Sequence, residues 1–163
     1  MSIIILMESK KNLILIGMMG SGKSTIGSIL AKKLSYEFID IDNKIEEIEK
    51  LTISKIFEQK GEDYFRKIEE KISNTLIIGN KKVISLGGGG FINNNIQKNI
   101  LTNNISFWLN WKNSTIINRI KNNKRRPLVA SLDEIELKKL IKLRDQVYVK
   151  ADYKVNCENL SKN

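Results

Sequence analysis

One segment near the amino terminus constrains the fold of this chain more than any other feature. It reads Gly17-Met18-Met19-Gly20-Ser21-Gly22-Lys23-Ser24-Thr25 and contains the complete pattern G-x-x-x-x-G-K-[ST]. Residues 12–16, apolar from Leu13 onward, precede it, and residues 26–34 after it carry apolar side chains at helical spacing. This order predicts a buried parallel strand, a tight loop and then a helix.

The pattern is typical of loops that bind the phosphates of a nucleoside triphosphate. Its glycines let the backbone wrap tightly, so that successive N–H groups point at phosphate oxygens. The ammonium of Lys23 would neutralise the β- and γ-phosphates, and the hydroxyl of Ser24 would hold Mg²⁺. A chance match is expected in only roughly 1% of chains of this length. We therefore predict a genuine nucleoside-triphosphate site.

Strand and helix patterns alternate along the rest of the chain. Further strands are predicted at residues 37–39, 83–86, 105–109 and 153–155. Helices are predicted after residue 42 with a break near 51–52, and at 62–78, 114–120 and 132–150. We therefore expect an α/β fold, a three-layer sandwich around a mainly parallel five-stranded sheet, as one domain over residues 1–163.

Composition excludes several classes of function. The chain has no His, which rules out Ser-His-Asp and Cys-His hydrolases and His-ligated zinc enzymes. Cys157 is the only Cys, so no internal disulfide forms and a reducing, cytoplasmic location is expected. The sequence offers no signal peptide and no apolar run long enough to span a membrane, so we expect no membrane partner.

The net charge of +10 has two possible interpretations. There are 28 Lys and Arg against 18 Asp and Glu, and the Lys residues are spread along the chain, often beside Glu. That distribution is typical of a solvated surface. We favour a generic basic surface, and expect no nucleic-acid partner, over a nucleic-acid or membrane patch.

Two polar features follow predicted strands, at the edge where ligands gather in open α/β sheets. Asp40 and Asp42 come after the second strand, where one carboxylate could serve a metal and the other a substrate hydroxyl. Asp42 could instead cap the following helix. The run Gly87–Gly90 after the third strand would let a substrate approach the backbone, or could form an ordinary loop.

Taken in order, these residues resemble the shikimate kinase family over about residues 12–155. The most specific phrase is Gly61-Glu62-x-x-Phe65-Arg66, with its spacing to Asp42 and to the glycines. The other matching segments are Gly20–Thr25, Asp40–Asp42 with Ile45-Glu46, Ile53–Phe57, Arg66–Glu69, Ile84–Gly89, Arg125–Leu128, and Leu143-Arg144 with Tyr148.

The resemblance implies an ATP-dependent kinase that phosphorylates the 3-hydroxyl of shikimate in the chorismate and aromatic amino acid pathway. The implied fold is that of a P-loop kinase of the nucleoside monophosphate kinase type. A shikimate-binding helical segment would span about residues 42–78, and a lid about residues 121–131. Shikimate and ATP would be the small-molecule partners and Mg²⁺ the cofactor, and we expect a monomer.

The resemblance also implies a role for each matching position. The ATP-binding residues would be Gly20, Ser21, Gly22, Lys23, Ser24, Thr25, Arg119 and Arg126. The shikimate-binding residues would be Asp42, Arg66, Gly87, Gly88, Gly89 and Arg144. The metal would be organised by Ser24 and Asp40, and the catalytic residues would be Lys23, Asp42 and Arg126. Arg119 would lie along the adenine, and Glu69 would orient Arg66.

The chemistry of the residues agrees with these roles. A planar carboxylate such as that of shikimate is best held by the two-bond fork of Arg. Arg144 falls inside the apolar stripe of the last predicted helix, so it needs an anion, either a ligand or a buried Asp or Glu. Arg66 could instead form an ordinary helix ion pair with Glu62 or Glu69. Without His, Asp42 is the candidate base or orienter of the hydroxyl.

Two other classes of protein stay open at this point. A kinase for gluconate or a nucleoside monophosphate would share the phosphate loop, although the only Pro, Pro127, does not lie in the Asp-Gly-Phe-Pro-Arg-like segment usual in nucleotide kinases. A nucleoside-triphosphate-dependent nucleic-acid-binding protein would fit the charge, but the chain lacks basic runs interleaved with aromatic residues. The segment after Lys121 could likewise be a plain basic surface loop rather than a lid.

Overall fold

The computed structural model describes residues 11–121 and 132–159. The strands are β1 (Leu13–Ile16), β2 (Glu37–Asp40), β3 (Lys82–Ser85), β4 (Ile105–Asn110) and β5 (Tyr153–Asn156). The α-helices are α1 (Lys23–Leu34), α2 (Ile41–Glu49), α3 (Ile53–Leu76), α4 (Asn94–Asn103), α5 (Asn113–Lys121) and α6 (Glu134–Tyr148). Short 3₁₀ helices occur at Gly90–Ile92 and Cys157–Asn159.

The five strands form one sheet in the order β2-β3-β1-β4-β5, and every pairing is parallel. Alternate residues of β1 enter opposite layers. Ile14 and Ile16 belong to the larger hydrophobic cluster, whereas Leu15 belongs to a smaller cluster with Ala31 and Val83. The predicted α/β sandwich is therefore confirmed, and the sheet is entirely parallel. All carboxyl ends of the strands meet at one edge.

Helix α3 is interrupted where the sequence predicts a new helix to begin. Gly61 has φ 81° and ψ 171°, a conformation that only Gly adopts readily. The expected break before α3 is also present, because α2 ends at Glu49 and the Thr52 side chain caps α3 by accepting from the Lys55 N–H at 3.4 Å. The kink turns the chain so that the second half of α3 packs along the sheet edge that carries the glycine run.

Helix α4 was not predicted from the sequence. Its segment is rich in Asn, a poor helix former, and so it lacks the composition of a helix. The Asn93 side chain caps it by accepting from the Asn95 and Ile96 N–H groups at 2.9 and 3.1 Å. Ile96 and Ile100 are fully buried at i, i+4 spacing, so tertiary packing stabilises the helix despite its weak propensity.

Residues 122–131, most of the predicted lid, lie outside the described residues. Lys121, at the start of that range, is the last residue of α5. No helix in the described part of the chain is both long enough and apolar enough to cross a membrane.

Candidate active site

The phosphate loop joins β1 to α1 at the centre of the sheet. Gly20 and Gly22 have φ values of 77° and 87°, in the left-handed region that favours glycine, and they bracket the buried Ser21. Helix α1 begins directly after them at Lys23, so its first N–H groups and the positive end of its dipole face the loop. The predicted strand, loop and helix are confirmed.

The Lys23 ammonium lies inside this loop. Its Nζ atom donates to the carbonyl oxygens of Gly17 and Met18, each at 2.9 Å, and the residue is only 8% exposed. These carbonyls hold the long side chain over the loop. The positive charge is therefore held inside the phosphate loop.

Ser24 and Asp40 meet at the mouth of the loop. The Ser24 hydroxyl donates to Asp40 Oδ2 at 2.5 Å, and Asp40 Oδ1 accepts from the Asn43 N–H at 3.2 Å. Asp40 is therefore the cap of α2, and the alternative that Asp42 is the cap is wrong. A hydroxyl beside a carboxylate at a phosphate loop supplies the hard oxygen ligands that Mg²⁺ prefers. These two residues fit such an ion.

A cavity of about 500 Å³ runs from the phosphate loop past the end of β2 to the end of β3. The predicted site residues that line it are Gly20, Gly22, Lys23, Ser24, Thr25, Asp40, Asp42 and Arg119. Ser85 and Leu86, which lead into the glycine run, line it as well. The cavity therefore connects the predicted ATP residues with Asp42 and with the strand end that precedes the glycine run, whereas Arg66 and Arg144 lie outside its lining.

Gly87, Gly88 and Gly89 make room for charged side chains. A Cβ atom at Gly87 would lie 2.7 Å from both Asp42 Oδ1 and Glu69 Oε1. A Cβ atom at Gly88 would lie 3.3 Å from Arg144 Nη1, and one at Gly89 would lie 2.6 Å from Arg66 Nη1. The structure thus brings the predicted substrate residues together from three helices around one bare stretch of backbone.

Arg66 is held by two carboxylates of its own helix. Its Nη1 atom contacts Glu69 Oε2 at 2.6 Å, and its Nη2 atom contacts Glu62 Oε1 at 3.1 Å. The helix ion pairs that the sequence suggested are therefore present, and the guanidinium also reaches the glycine run. Burial acts to lower the Arg66 pKa, but Glu69 and Glu62 outweigh it and the pKa is raised. The charge of Arg66 is permanent.

Arg144 approaches the same backbone from α6. Its Nη1 atom donates to the Met18 sulfur at 3.6 Å, and one turn later the buried Tyr148 hydroxyl donates to the Gly88 carbonyl oxygen. Burial raises the pKa of Tyr148 to about 12, so this hydroxyl keeps its proton. Glu69 interacts electrostatically with Arg144, while its direct ion pair is with Arg66. Helix α6 thereby contacts both the phosphate loop and the glycine run.

Arg119 also lines the cavity, and the family resemblance implies that it lies along the adenine. Its Nη1 atom donates to the Gly20 carbonyl oxygen at 3.1 Å, and its guanidinium carbon lies 3.8 Å from the centre of the Trp111 ring. Trp111 was not predicted from the sequence. The signal was available, because Trp111 directly follows β4 at the edge of the sheet where ligands gather. Arg126 lies outside the described residues.

The central strand runs into a phosphate loop, and the parallel sheet has the order β2-β3-β1-β4-β5. The cavity beside the loop is lined by Lys23 and two Asp carboxylates. These features together define a P-loop kinase of the nucleoside monophosphate kinase type. A family model described as "Shikimate kinase" matches residues 19–163. The chain belongs to the shikimate kinase family, and it is an ATP-dependent kinase.

Individual relatives agree with this assignment. A shikimate kinase of Sulfurihydrogenibium sp. is 43% identical over 91% of this chain and 89% of its own length. The structure of shikimate kinase from Acinetobacter baumannii in complex with shikimate matches with a TM-score of 0.85 and 32% identity, over 94% of this chain and 85% of that one. Shikimate kinase from Aquifex aeolicus matches with a TM-score of 0.82 and 37% identity, over 91% and 88%.

Proposed function

We propose that this protein transfers the γ-phosphoryl group of ATP to the 3-hydroxyl of shikimate, giving shikimate 3-phosphate and ADP. The observation that carries the proposal is the meeting of Arg66, Asp42 and Arg144 around the glycine run, at the end of the cavity that begins at the phosphate loop. Family membership favours this substrate over gluconate or a nucleotide. The product would feed the chorismate and aromatic amino acid pathway.

Shikimate is a small triol with one carboxylate, and the glycine run offers partners for both kinds of group. Arg66 and Arg144 present planar guanidinium groups, which bind a carboxylate through two parallel hydrogen bonds. Gly87, Gly88 and Gly89 leave the backbone open to a close-fitting ring. Asp42 would accept a hydrogen bond from the hydroxyl that reacts.

Asp42 is the proposed base or orienter of that hydroxyl. As the 3-oxygen forms its bond to the γ-phosphorus, the hydroxyl proton passes to the Asp42 carboxylate and the bond to the bridging oxygen of ADP breaks. The chain has no His to take this proton. A carboxylate that lines the cavity and touches the glycine run is positioned for the task.

Phosphoryl transfer depends mainly on positioning and on neutralising charge. Lys23 would stabilise the charge that spreads over the γ-phosphoryl oxygens, and Arg126 would do the same from the lid. Closure of the lid, about residues 121–131, would exclude water and so limit wasteful hydrolysis of ATP.

Mg²⁺ is the proposed cofactor. Ser24 would hold it through the hydroxyl and Asp40 through a bound water, which suits a cation that keeps several waters and otherwise binds phosphates. When bound, the ion neutralises negative charge on the phosphate oxygens. Asp40 has a second task, because it also caps α2 and so fixes the start of the helix that carries Asp42.

We further propose that the protein acts in the cytoplasm as a single-domain monomer whose partners are shikimate and ATP, without nucleic acid or membrane. The supporting observations are the single Cys and the spread of Lys over the chain, which favours a solvated basic surface.

A coupled assay of ADP release tests the activity. The wild-type protein is incubated with Mg-ATP and, in separate reactions, with shikimate, gluconate, nucleoside monophosphates or DNA. We expect shikimate alone to accelerate ADP release well above the rate with ATP only. Acceleration by one of the other compounds would contradict the proposed substrate, and so would the absence of any acceleration by shikimate.

Substitution of Asp42 tests the mechanism. We expect Asp42→Asn to lower kcat by about 10²–10⁴-fold, the usual contribution of a positioned base, while ATP still binds with near-normal affinity in a calorimetric titration. Glu47→Gln is the matched control, since Glu47 lies on the same helix and its side chain is 67% exposed. Near-normal turnover of Asp42→Asn would assign Asp42 a structural role only.

A further inference from the structure

Trp111 contacts two parts of the predicted nucleotide site, the phosphate loop and Arg119. It lies between β4 and α5, packs half-buried against the large hydrophobic cluster, and donates its indole N–H to the Ser21 carbonyl oxygen at 2.9 Å. Ser21 is the central residue of the phosphate loop, between Gly20 and Gly22. The indole therefore ties the loop to the hydrophobic core from a position 90 residues away in sequence.

The ring of Trp111 also fixes the cation that lines the cavity. Arg119 has a long, exposed side chain that would sample many rotamers if it had no partner. The guanidinium carbon lies over the indole, 3.8 Å from the ring centre, and Nη1 donates to the Gly20 carbonyl oxygen at 3.1 Å, so two contacts restrict the orientation of the guanidinium. Arg119 lines the cavity, whereas Trp111 packs against the core, so the indole supports the guanidinium from the protein side.

We propose that Trp111 is a positioning residue of the nucleotide site: it holds the Arg119 guanidinium as a flat platform for a purine base, and it couples that platform to the phosphate loop through Ser21. The proposal rests on the proposed function in so far as ATP binds at this loop. Preorganisation of an otherwise mobile cation lowers the entropy cost of binding the base.

This arrangement makes a specific statement about base recognition. A guanidinium plane stacks on the π-face of a purine and does not read the hydrogen-bonding edge of the base. The contribution of Trp111 should therefore be the same for ATP and GTP. Inorganic tripolyphosphate has the phosphates without a base. Its binding should therefore depend on Trp111 only through the hydrogen bond to the phosphate loop.

Three variants separate the two contacts of Trp111. Trp111→Ala removes both the ring and the N–H. Trp111→Phe keeps a ring for Arg119 to stack on but removes the hydrogen bond to Ser21. Arg119→Ala removes the platform and leaves the indole in place. Calorimetric titration with ATP, GTP and tripolyphosphate measures nucleotide binding directly, and steady-state kinetics give KM and kcat for both substrates.

We expect Trp111→Ala to weaken ATP and GTP binding by the same factor, about tenfold, from the loss of one cation–π contact and one hydrogen bond. Tripolyphosphate binding should weaken less, and KM for shikimate and kcat should stay within about twofold. Trp111→Phe should weaken ATP and tripolyphosphate binding equally and only slightly. When Arg119 is already Ala, adding Trp111→Ala should weaken ATP binding only by the factor by which Trp111→Ala weakens tripolyphosphate binding.

Other outcomes overturn the inference. Unchanged ATP binding in Trp111→Ala would show that Arg119 needs no support, and equal losses for ATP and shikimate would show a general scaffold role. If Trp111→Ala does not fold, Trp111→Phe and Arg119→Ala still test the inference. Unequal effects of Trp111→Phe on ATP binding and on tripolyphosphate binding would contradict the roles assigned to the two contacts of Trp111. The titrations contain no shikimate, so failure of the proposed phosphorylation would appear separately, as wild-type protein that binds ATP without shikimate-dependent turnover.

Discussion

Glu69 is the residue on which the charges of the substrate end converge. It is 1% exposed, contacts Arg66 at 2.6 Å, and interacts electrostatically with Asp42 and Arg144. Burial raises the Glu69 pKa, and Asp42 adds to this, against the opposing effect of the two arginines. The ionised Glu69 carboxylate therefore holds Arg66 in place, but burying its charge lowers the free energy of unfolding.

The pH dependence of stability should reveal this cost. The folded protein holds the Glu69 proton more tightly than the unfolded chain does, because the pKa is raised from 4.5. The free energy of unfolding should consequently fall as the pH rises from 4.5 through the raised pKa, and this contribution should be absent from Glu69→Gln. Urea unfolding at a series of pH values measures it. Glu62→Gln, at an exposed partner of Arg66, is the control, and equal slopes in wild type and Glu69→Gln would refute the prediction.

At the scale of elements, the kink of α3 directs the chain past the site. Its first half follows α2, and its second half carries Arg66 and Glu69 to the glycine run. The Gly61 conformation at φ 81° and ψ 171° lies in a region that is essentially restricted to glycine. Among the described residues, and apart from its chain neighbours and the adjacent backbone of its own helix, no atom lies within 4 Å of a Cβ built there, so backbone conformation and not space restricts this position to Gly.

Gly61→Ala isolates that backbone requirement. We expect a loss of about 1–3 kcal/mol in the free energy of unfolding, since the side chain meets no clash and only the φ/ψ strain remains. Gln59→Ala is the matched control, because Gln59 is an exposed helical neighbour and such changes stay within about 0.5 kcal/mol. Urea denaturation of the three proteins gives the comparison. A neutral Gly61→Ala would mean that the kink relaxes into continuous helix.

At the scale of the whole molecule, the site is complete only when α6 has docked. Arg144 reaches Met18 and the Gly88 backbone, 126 and 56 residues earlier in the chain, and Tyr148 bonds to Gly88 beside it. Shikimate bound there would join α6 to the phosphate loop and to the glycine run. Binding of substrate should therefore stabilise the fold as a whole.

Thermal unfolding with ligands tests this coupling. Shikimate at a hundredfold excess over its Kd should stabilise the wild type by about 2.7 kcal/mol, or roughly 5–11 °C for a chain of this size. In Arg144→Lys the shift at the same shikimate concentration should be much smaller, since Lys cannot form the two-bond fork. The shift produced by ATP should be retained. Equal loss of both shifts would indicate a damaged fold instead.

Features that depend on local chemistry could be predicted from the sequence alone. The phosphate loop follows from its glycines and Lys23, the parallel sheet from short apolar strands that alternate with helices, and the break at Gly61 from the residue that tolerates it. Helix α4 was not predicted because the packing of Ile96 and Ile100 stabilises it, whereas its local propensity does not.

The folded structure was needed to show which side chains meet. It assigned the cap of α2 to Asp40, which left Asp42 in the first turn of the helix and facing the cavity. It showed that Gly87–Gly89 accommodate the charges of Asp42, Arg66 and Arg144, and it placed Trp111 beneath Arg119. These contacts join residues far apart in sequence. Their partners are set by the docking of helices on the sheet, which a local pattern does not encode.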